Sequence, residues 1–131
     1  MTDTVLLDTN VVSYLLNGHS LAQKYIPHLK GKRLAISFMV VAEMHEGAAR
    51  AGWGQPRLDR LDATLKKYVV VPSSYPLCVE WGAIRAERRQ QPISAEDAWM
   101  AATARANGWP LVSHNASDFL GVQGLTVITE G

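Results

Sequence analysis

Cysteine is nearly absent from this sequence of 131 residues, and its single copy, Cys78, has no partner in the chain for a disulfide. One cysteine also cannot form the paired cysteine ligands of a structural zinc site. The cysteine content therefore excludes a disulfide-rich secreted domain. It favours a reducing compartment, and we expect the cytoplasm.

Long hydrophobic runs and a basic leader are also lacking. No apolar run approaches the ~18 residues of a membrane span, and Met1 to Thr4 carry an acid where a secretory signal carries basic residues. We therefore expect no membrane association. With 47% apolar residues, the sequence predicts a single domain, residues 1–131, with its own hydrophobic core.

An excess of one sign of charge is lacking too, because the net charge is only +1. Proteins that hold nucleic acid by charge alone are usually strongly basic, so RNA binding here would need a local basic patch and a metal ion. The basic residues are densest at Arg85, Arg88 and Arg89, with a second group at Arg57, Arg60, Lys66 and Lys67. Their spacing favours solvated helix faces for both groups.

Short apolar runs alternate with helical periodicity along the whole chain. The pattern predicts strands at residues 5–7, 34–36, 68–71, 111–112 and 126–128. It predicts helices at residues 11–16, 21–29, 38–51, 55–67, 74–91 and 94–107. Alternating strands and helices are typical of parallel βαβ units, so we predict an α/β fold: a three-layer α/β/α sandwich with a mostly parallel central sheet. The strand order stays open.

Four acidic residues are candidates for one site. Asp8 ends the first strand, Glu43 lies about two turns into the helix after the second, Asp97 lies in the first turn of a later helix, and Asp118 follows the fourth strand. Ligands of open parallel sheets bind at the carboxyl ends of the strands. Carboxylates without His or Cys partners suit a hard cation, hence Mg²⁺ or alternatively Mn²⁺.

Each acid also has a purely structural explanation. Asp8 is well placed to cap the next helix, and Asp97 stands three residues after Ser94, as in a capping box. Glu43 lies in an apolar stretch, so it is either at the edge of the buried stripe or beside a cation. Asp118 is typical of ordinary loop acids. The sequence alone leaves these alternatives open.

The order of these motifs along nearly the whole chain resembles PIN-domain nucleases, and specifically the VapC-like toxins of type II toxin–antitoxin pairs. The segments that carry the resemblance are residues 5–10 (VLLDTN), 37–43 (SFMVVAE), 93–102 (ISAEDAWMAA) and 111–119 (LVSHNASDF).

The resemblance implies an endoribonuclease in which Asp8, Glu43 and Asp97 are catalytic acids, with Asp8 and Asp97 as Mg²⁺ ligands. The family's fourth acidic position falls in the loop that contains Asp118, and Asn115 is the alternative donor there. The metal would activate a water for attack on an RNA phosphodiester. Thr9 and Asn10 are expected to steady the acids, Ser113 stands where the family often has Thr, and Glu96 is expected to be a surface acid.

The resemblance also implies partners: a single-stranded or loop RNA substrate, a homodimer, and an antitoxin that blocks the acidic site. An arginine of that antitoxin would match the carboxylates. Surface residues near the N-terminus are candidates for holding the antitoxin peptide or a second copy of the chain, although core packing is the alternative for most of them: Tyr14, Leu15, Leu21 and Tyr25.

Two rival functions remain. A haloacid-dehalogenase-type phosphatase also ends its first strand with Asp, but Asn10 stands where the second Asp of that class belongs, and no downstream Lys with paired acids completes the set. The other rival is a catalytically inactive PIN-fold module that binds RNA or protein. The presence of all three principal acids argues against it.

Overall fold

Five short strands alternate with six helices in the computed structural model, which describes residues 3–131. Met1 and Thr2, part of the N-terminal segment considered above, lie outside the described residues. The elements are β1 (Thr4–Leu7), α1 (Thr9–Asn17), α2 (Ala22–Leu29), β2 (Arg33–Ser37), α3 (Phe38–Arg50), α4 (Gln55–Leu65), β3 (Val69–Val71), α5 (Tyr75–Glu87), α6 (Ala95–Asn107), β4 (Leu111–Val112), a 3₁₀ turn (Ala116–Phe119) and β5 (Val127–Ile128).

The strands form one parallel sheet in the order β3-β2-β1-β4-β5. Leu6 of β1 pairs with Ala35 of β2 on one side and with Leu111 of β4 on the other. The chain builds outward from β1 to β3 and then returns to the opposite side of β1. The boundary between β1 and β4 is therefore the topological switch point, where open α/β sheets bind ligands beyond the carboxyl ends of their strands.

Side chains on the two faces of the sheet belong to two different cores. Val5 and Leu7 pack with α1, α2, α3 and α4, whereas Leu6 packs with α5 and α6. Burial on both faces explains why β1 is a continuous apolar run rather than an alternating one. The predicted three-layer α/β/α sandwich is confirmed, and its sheet is parallel throughout. Among residues 3–131, no helix is both long enough and apolar enough to cross a membrane.

The helix predicted over residues 74–91 ends earlier, at Glu87. Arg88 leaves the helical conformation, and its Nε donates to the carbonyl of Gln91 at 2.7 Å, which closes a turn over residues 88–91. Pro92 follows, and a residue before proline is disfavoured in the helical conformation. The helix predicted to reach residue 67 likewise ends at Leu65.

Candidate active site

Asp8 lies directly after β1, at the switch point. Its backbone N–H still bonds to the carbonyl of Val112 in β4, and its side chain accepts the backbone N–H of Val11 at 2.9 Å, which caps α1. The residue is only 5% exposed, and its carboxyl is also hydrogen-bonded by the Ser113 side chain. The capping role is therefore real, but it leaves the carboxyl at the sheet edge where a ligand would bind.

Glu43 approaches the same edge from α3, about one and a half turns after that helix begins. Its Oε1 accepts a hydrogen bond from the Thr9 hydroxyl at 2.8 Å, so the first residue of α1 orients it. Glu43 is half-buried, and among the described residues it has no cationic partner within ion-pair distance. Glu43 therefore lies at the edge of the buried stripe of α3, beside Met44, and its partner is a neutral hydroxyl.

Asp97 is the third acid of the site and lies in the first turn of α6. Ser94 caps this helix, and its hydroxyl accepts the backbone N–H of Asp97 at 3.0 Å. Asp97 is half-buried. The capping arrangement fixes the first turn of α6, so Asp97 has a defined position opposite Asp8.

These three acids line one polar cavity of about 190 Å³. The structure therefore brings together Asp8, Glu43 and Asp97, which are 89 residues apart at the extremes of the sequence. Asp118 does not line this cavity; it lines a neighbouring cavity of about 330 Å³, which Asp97 shares. The other residues around the first cavity are Thr9, Asn10, Met100, Asn115 and Phe119.

The environment of the cavity disfavours the charged forms of its three acids. Burial raises the pKa of the Asp8 carboxyl despite the hydrogen bonds that favour its charged form. Burial also raises the pKa of Glu43 and of Asp97. Neighbouring carboxylates, including those of Asp8 and Glu96, raise both pKa values further. Glu96 is exposed, as predicted, yet it still adds negative potential to the cavity. The site is short of positive charge.

The donor set fits a magnesium ion that shares its ligands with a substrate. All the polar side chains around the cavity present oxygen or amide donors, and no His or Cys lines it. Within residues 3–131, no three His, Cys, Asp or Glu side chains are grouped closely enough to hold a metal by themselves. Mg²⁺ commonly uses only one or two carboxylates and completes its shell with water and phosphate oxygens. Asp8 and Asp97 match that requirement.

Tyr25 differs from its predicted place on a partner-binding surface. It is fully buried, and its hydroxyl bonds to Nδ1 of His114 and accepts the backbone N–H of Glu130. Tyr25 thus anchors the loop after β4 and cannot contact a peptide. Its spacing in α2 left core packing open as the alternative, and that alternative is correct.

For the basic residues Arg85, Arg88 and Arg89, the predicted solvated face was wrong at Arg88, whereas Arg85 of α5 and Arg89 are exposed. Arg88 is only 8% exposed and donates to the backbone carbonyls of Gln91 and Asp118, and Arg85 donates to the carbonyl of Ile93. Only Arg89 of the three is free of such contacts within the described chain. Periodicity gave no signal for this, because the contacts depend on how the α5–α6 connection folds back.

The fold is that of a PIN domain, and the chain belongs to that family, whose model matches residues 5–125. Within the family it is VapC-like. It is 25% identical over 118 residues to ribonuclease VapC1 of Haemophilus influenzae, and the alignment covers 87% of this chain and 88% of the relative. It is 28% identical over 120 residues to ribonuclease VapC2 of Rickettsia felis, with the same coverage.

A solved structure gives the same result in three dimensions. The chain superposes on a chain of VapBC2 from Rickettsia felis bound to a DNA fragment from their promoter, with a TM-score of 0.82 and 25% sequence identity. The superposition covers 96% of this chain and 98% of that one. The similarity therefore extends over nearly the whole chain.

Proposed function

We propose that this chain is a Mg²⁺-dependent endoribonuclease and the toxin of a toxin–antitoxin pair. The observation that carries the proposal is the meeting of Asp8, Glu43 and Asp97 in one small polar cavity at the switch point of a PIN fold. The names of the ribonuclease VapC relatives support the reaction class. The reducing cytoplasm is the expected compartment.

Asp8 and Asp97 are the proposed ligands, because both line the cavity from the starts of helices. The Asp8 carboxyl caps α1, and the Ser94 cap fixes the backbone of Asp97 in the first turn of α6. When bound, Mg²⁺ would offset the charge of an RNA phosphate and make a water molecule more acidic. Glu43 would orient the attacking water through a carboxylate oxygen, and the Thr9 hydroxyl would hold Glu43 in position. Asn115 lines the cavity and would contribute a polar contact, with Asp118 reaching it from the neighbouring cavity.

Single-stranded or loop RNA is the proposed substrate. Such RNA leaves its backbone accessible, whereas the grooves of a duplex restrict approach. The acidic cavity holds no Lys, Arg or His, so the phosphate would be held there by the metal and not by a protein cation.

Substitution of the two proposed ligands tests the activity. Asp8→Asn and Asp97→Asn should each reduce Mg²⁺-dependent cleavage of a single-stranded RNA by at least about 100-fold, since each removes ligand charge. Asp59→Asn is the matched control, because Asp59 is an exposed acid of α4 outside the cavity. Circular dichroism checks folding. Full activity in either cavity variant removes that residue from the site, and a pure wild-type protein that binds RNA without cleaving it supports the inactive module instead.

A cognate antitoxin and a homodimer complete the proposal. The solved VapBC2 relative is described as a complex of VapB and VapC type, and three acids that lack a cation offer a site for an arginine fork. Co-expression with a short adjacent antitoxin gene should yield a complex whose RNase activity is lost. A stable complex that cleaves RNA as fast as the free chain contradicts blocking of the active site. Sedimentation of the free chain tests the dimer.

A further inference from the structure

The cavity beside the acidic site contains an arginine whose burial the proposed mechanism does not explain. This second cavity measures about 330 Å³ and adjoins the first through Asp97, which lines both. Arg88 lines it while remaining only 8% exposed. A buried guanidinium is costly unless a counter-charge compensates it.

No such counter-charge comes from the described part of the chain. Nε and Nη1 of Arg88 donate to the carbonyls of Gln91 and Asp118, at 2.7 and 3.3 Å, and no carboxylate lies within ion-pair distance of the guanidinium. Arg105, by contrast, pairs with the carboxylates of Glu80 and Glu87.

One nitrogen of Arg88 remains available. Nη2 makes no hydrogen bond within residues 3–131, and in the same residues no fully buried side-chain nitrogen or oxygen lacks a partner. Nη2 is therefore accessible to solvent, although nearly all of the side chain is covered. The two carbonyl bonds fix the guanidinium plane, so its free donors are preorganised for an anion such as a phosphate.

The rest of the lining suits a nucleotide. Ser94 and Ser117 add hydroxyl groups, and Gln91 is the residue whose side chain could read a polar base edge. Apolar contact comes from Ile93 and from Leu120, which is 66% exposed despite being a large hydrophobic residue. Asp97 and Asp118 also line the cavity, so an anion is favoured only on the side of Arg88.

We infer that this second cavity is a subsite for the nucleotide next to the scissile phosphate, with Arg88 binding that nucleotide's phosphate. The inference rests on the proposed RNA cleavage and extends it, because it names a cation of this chain that binds substrate where the acidic cavity has none. Arg88 would determine affinity and the position of the strand, whereas the acids of the first cavity would carry out the reaction.

Binding without cleavage tests the subsite. The affinity of the full chain for a fluorescein-labelled single-stranded RNA is measured by anisotropy in EDTA over a range of salt concentrations. Loss of one phosphate contact should reduce the slope of log affinity against log salt by about 0.7, so Arg88→Met should show that reduction and bind about tenfold more weakly at low salt. Arg89→Met removes an exposed neighbouring charge outside the cavity and is the matched control.

A slope for Arg88→Met equal to that of wild type or of Arg89→Met overturns the inference. If Arg88→Met fails to fold, Ser117→Glu decides, since it adds a negative charge to the cavity and leaves the Arg88 side-chain bonds intact. Weaker RNA binding by Ser117→Glu supports the subsite, and unchanged binding overturns it. This binding assay contains no Mg²⁺, so its result does not depend on cleavage. A wild-type protein that fails to cleave RNA in the separate Mg²⁺ assay would refute the proposed function without affecting the binding result.

Discussion

Neutralising Asp8 should make the metal-free protein more stable while abolishing its activity. Asp8 is buried, no cation of the described chain pairs with it, and its carboxyl shares the acidic cavity with Glu43 and Asp97. Asp8→Asn removes the charge and keeps an oxygen that can cap α1, because Asn is as good a helix cap as Asp. The substitution therefore separates the cost of the charge from the benefit of the cap.

Repulsion between neighbouring carboxylates sets the magnitude. Two like charges on the order of 7 Å apart repel by about 0.6 kcal/mol in water and about 2.4 kcal/mol at an effective dielectric constant of 20. We expect Asp8→Asn to gain roughly 1–2 kcal/mol in EDTA, which for a chain of this length raises the melting temperature by about 3–8 °C. Asp8→Ala should lose about 1 kcal/mol of that gain, because it removes the cap.

The gain must also depend on pH. The pKa of Asp8 is raised in the folded protein, so folding favours the protonated form. The resulting stability of wild type is fully present below the unfolded pKa of about 3.9 and is lost as the pH rises through the folded value. Wild type and Asp8→Asn should therefore melt at similar temperatures near pH 4 and diverge towards pH 7.5.

Thermal melts by circular dichroism in EDTA and in Mg²⁺ check this prediction. Saturating Mg²⁺ should stabilise wild type, by about 2.7 kcal/mol when the free ion is at 100 times its dissociation constant, and should stabilise Asp8→Asn much less. An Asp8→Asn protein that melts at or below wild type in EDTA at pH 7.5, or a difference that does not change with pH, would refute the reasoning.

Three further predictions concern other positions. Glu43→Gln should lower RNA cleavage by about 100-fold or more in a fixed-time assay. Thr9→Val should lower cleavage less, and Thr9→Ser should keep it near the wild-type rate, because Thr9 acts only by orienting Glu43 through its hydroxyl. Equal activity of Thr9→Val and wild type would contradict that role. Leu61→Ala should cost about 2–5 kcal/mol in urea unfolding, since Leu61 is fully buried, and a cost below 1 kcal/mol would be inconsistent with the packing. Arg105→Met should cost about 1–3 kcal/mol by leaving its two partly buried carboxylate partners unpaired, a loss that should be visible as a lower urea midpoint than that of wild type, and an unchanged midpoint would contradict the pairing.

Local pattern predicted most of the fold, because each element is buried in a way that its own residues record. The run at residues 5–7 is apolar throughout because β1 has a core on both faces, and Asn17–Gly18 ends α1 through the left-handed conformation of Gly18. Strand order was not predictable, because β1 pairs with β4, whose residues lie more than 100 positions away. Nothing in a window of sequence encodes that distance.

The site was predictable in its members but not in its contacts. Asp8 and Asp97 follow a strand end and a helix start, two features that sequence shows directly. The bond between Thr9 and Glu43 joins residues 34 positions apart, and the burial of Arg88 depends on a turn that a helical pattern conceals. Tertiary contacts determine both, so sequence periodicity left the partner of Glu43 open and assigned Arg88 the wrong environment.

The structural and the functional explanations of the acids turn out to be the same arrangement. A carboxylate at the start of a helix is stabilised by free backbone N–H groups and by the helix dipole, and Asp8 and Asp97 both occupy such positions. That support lets the fold keep two acids in a cavity without a cation. Glu43 lies within α3, away from its start, and is held by one hydroxyl alone. The two acids at helix starts are therefore suited to hold an ion, and Glu43, which the Thr9 hydroxyl orients, is suited to position a water.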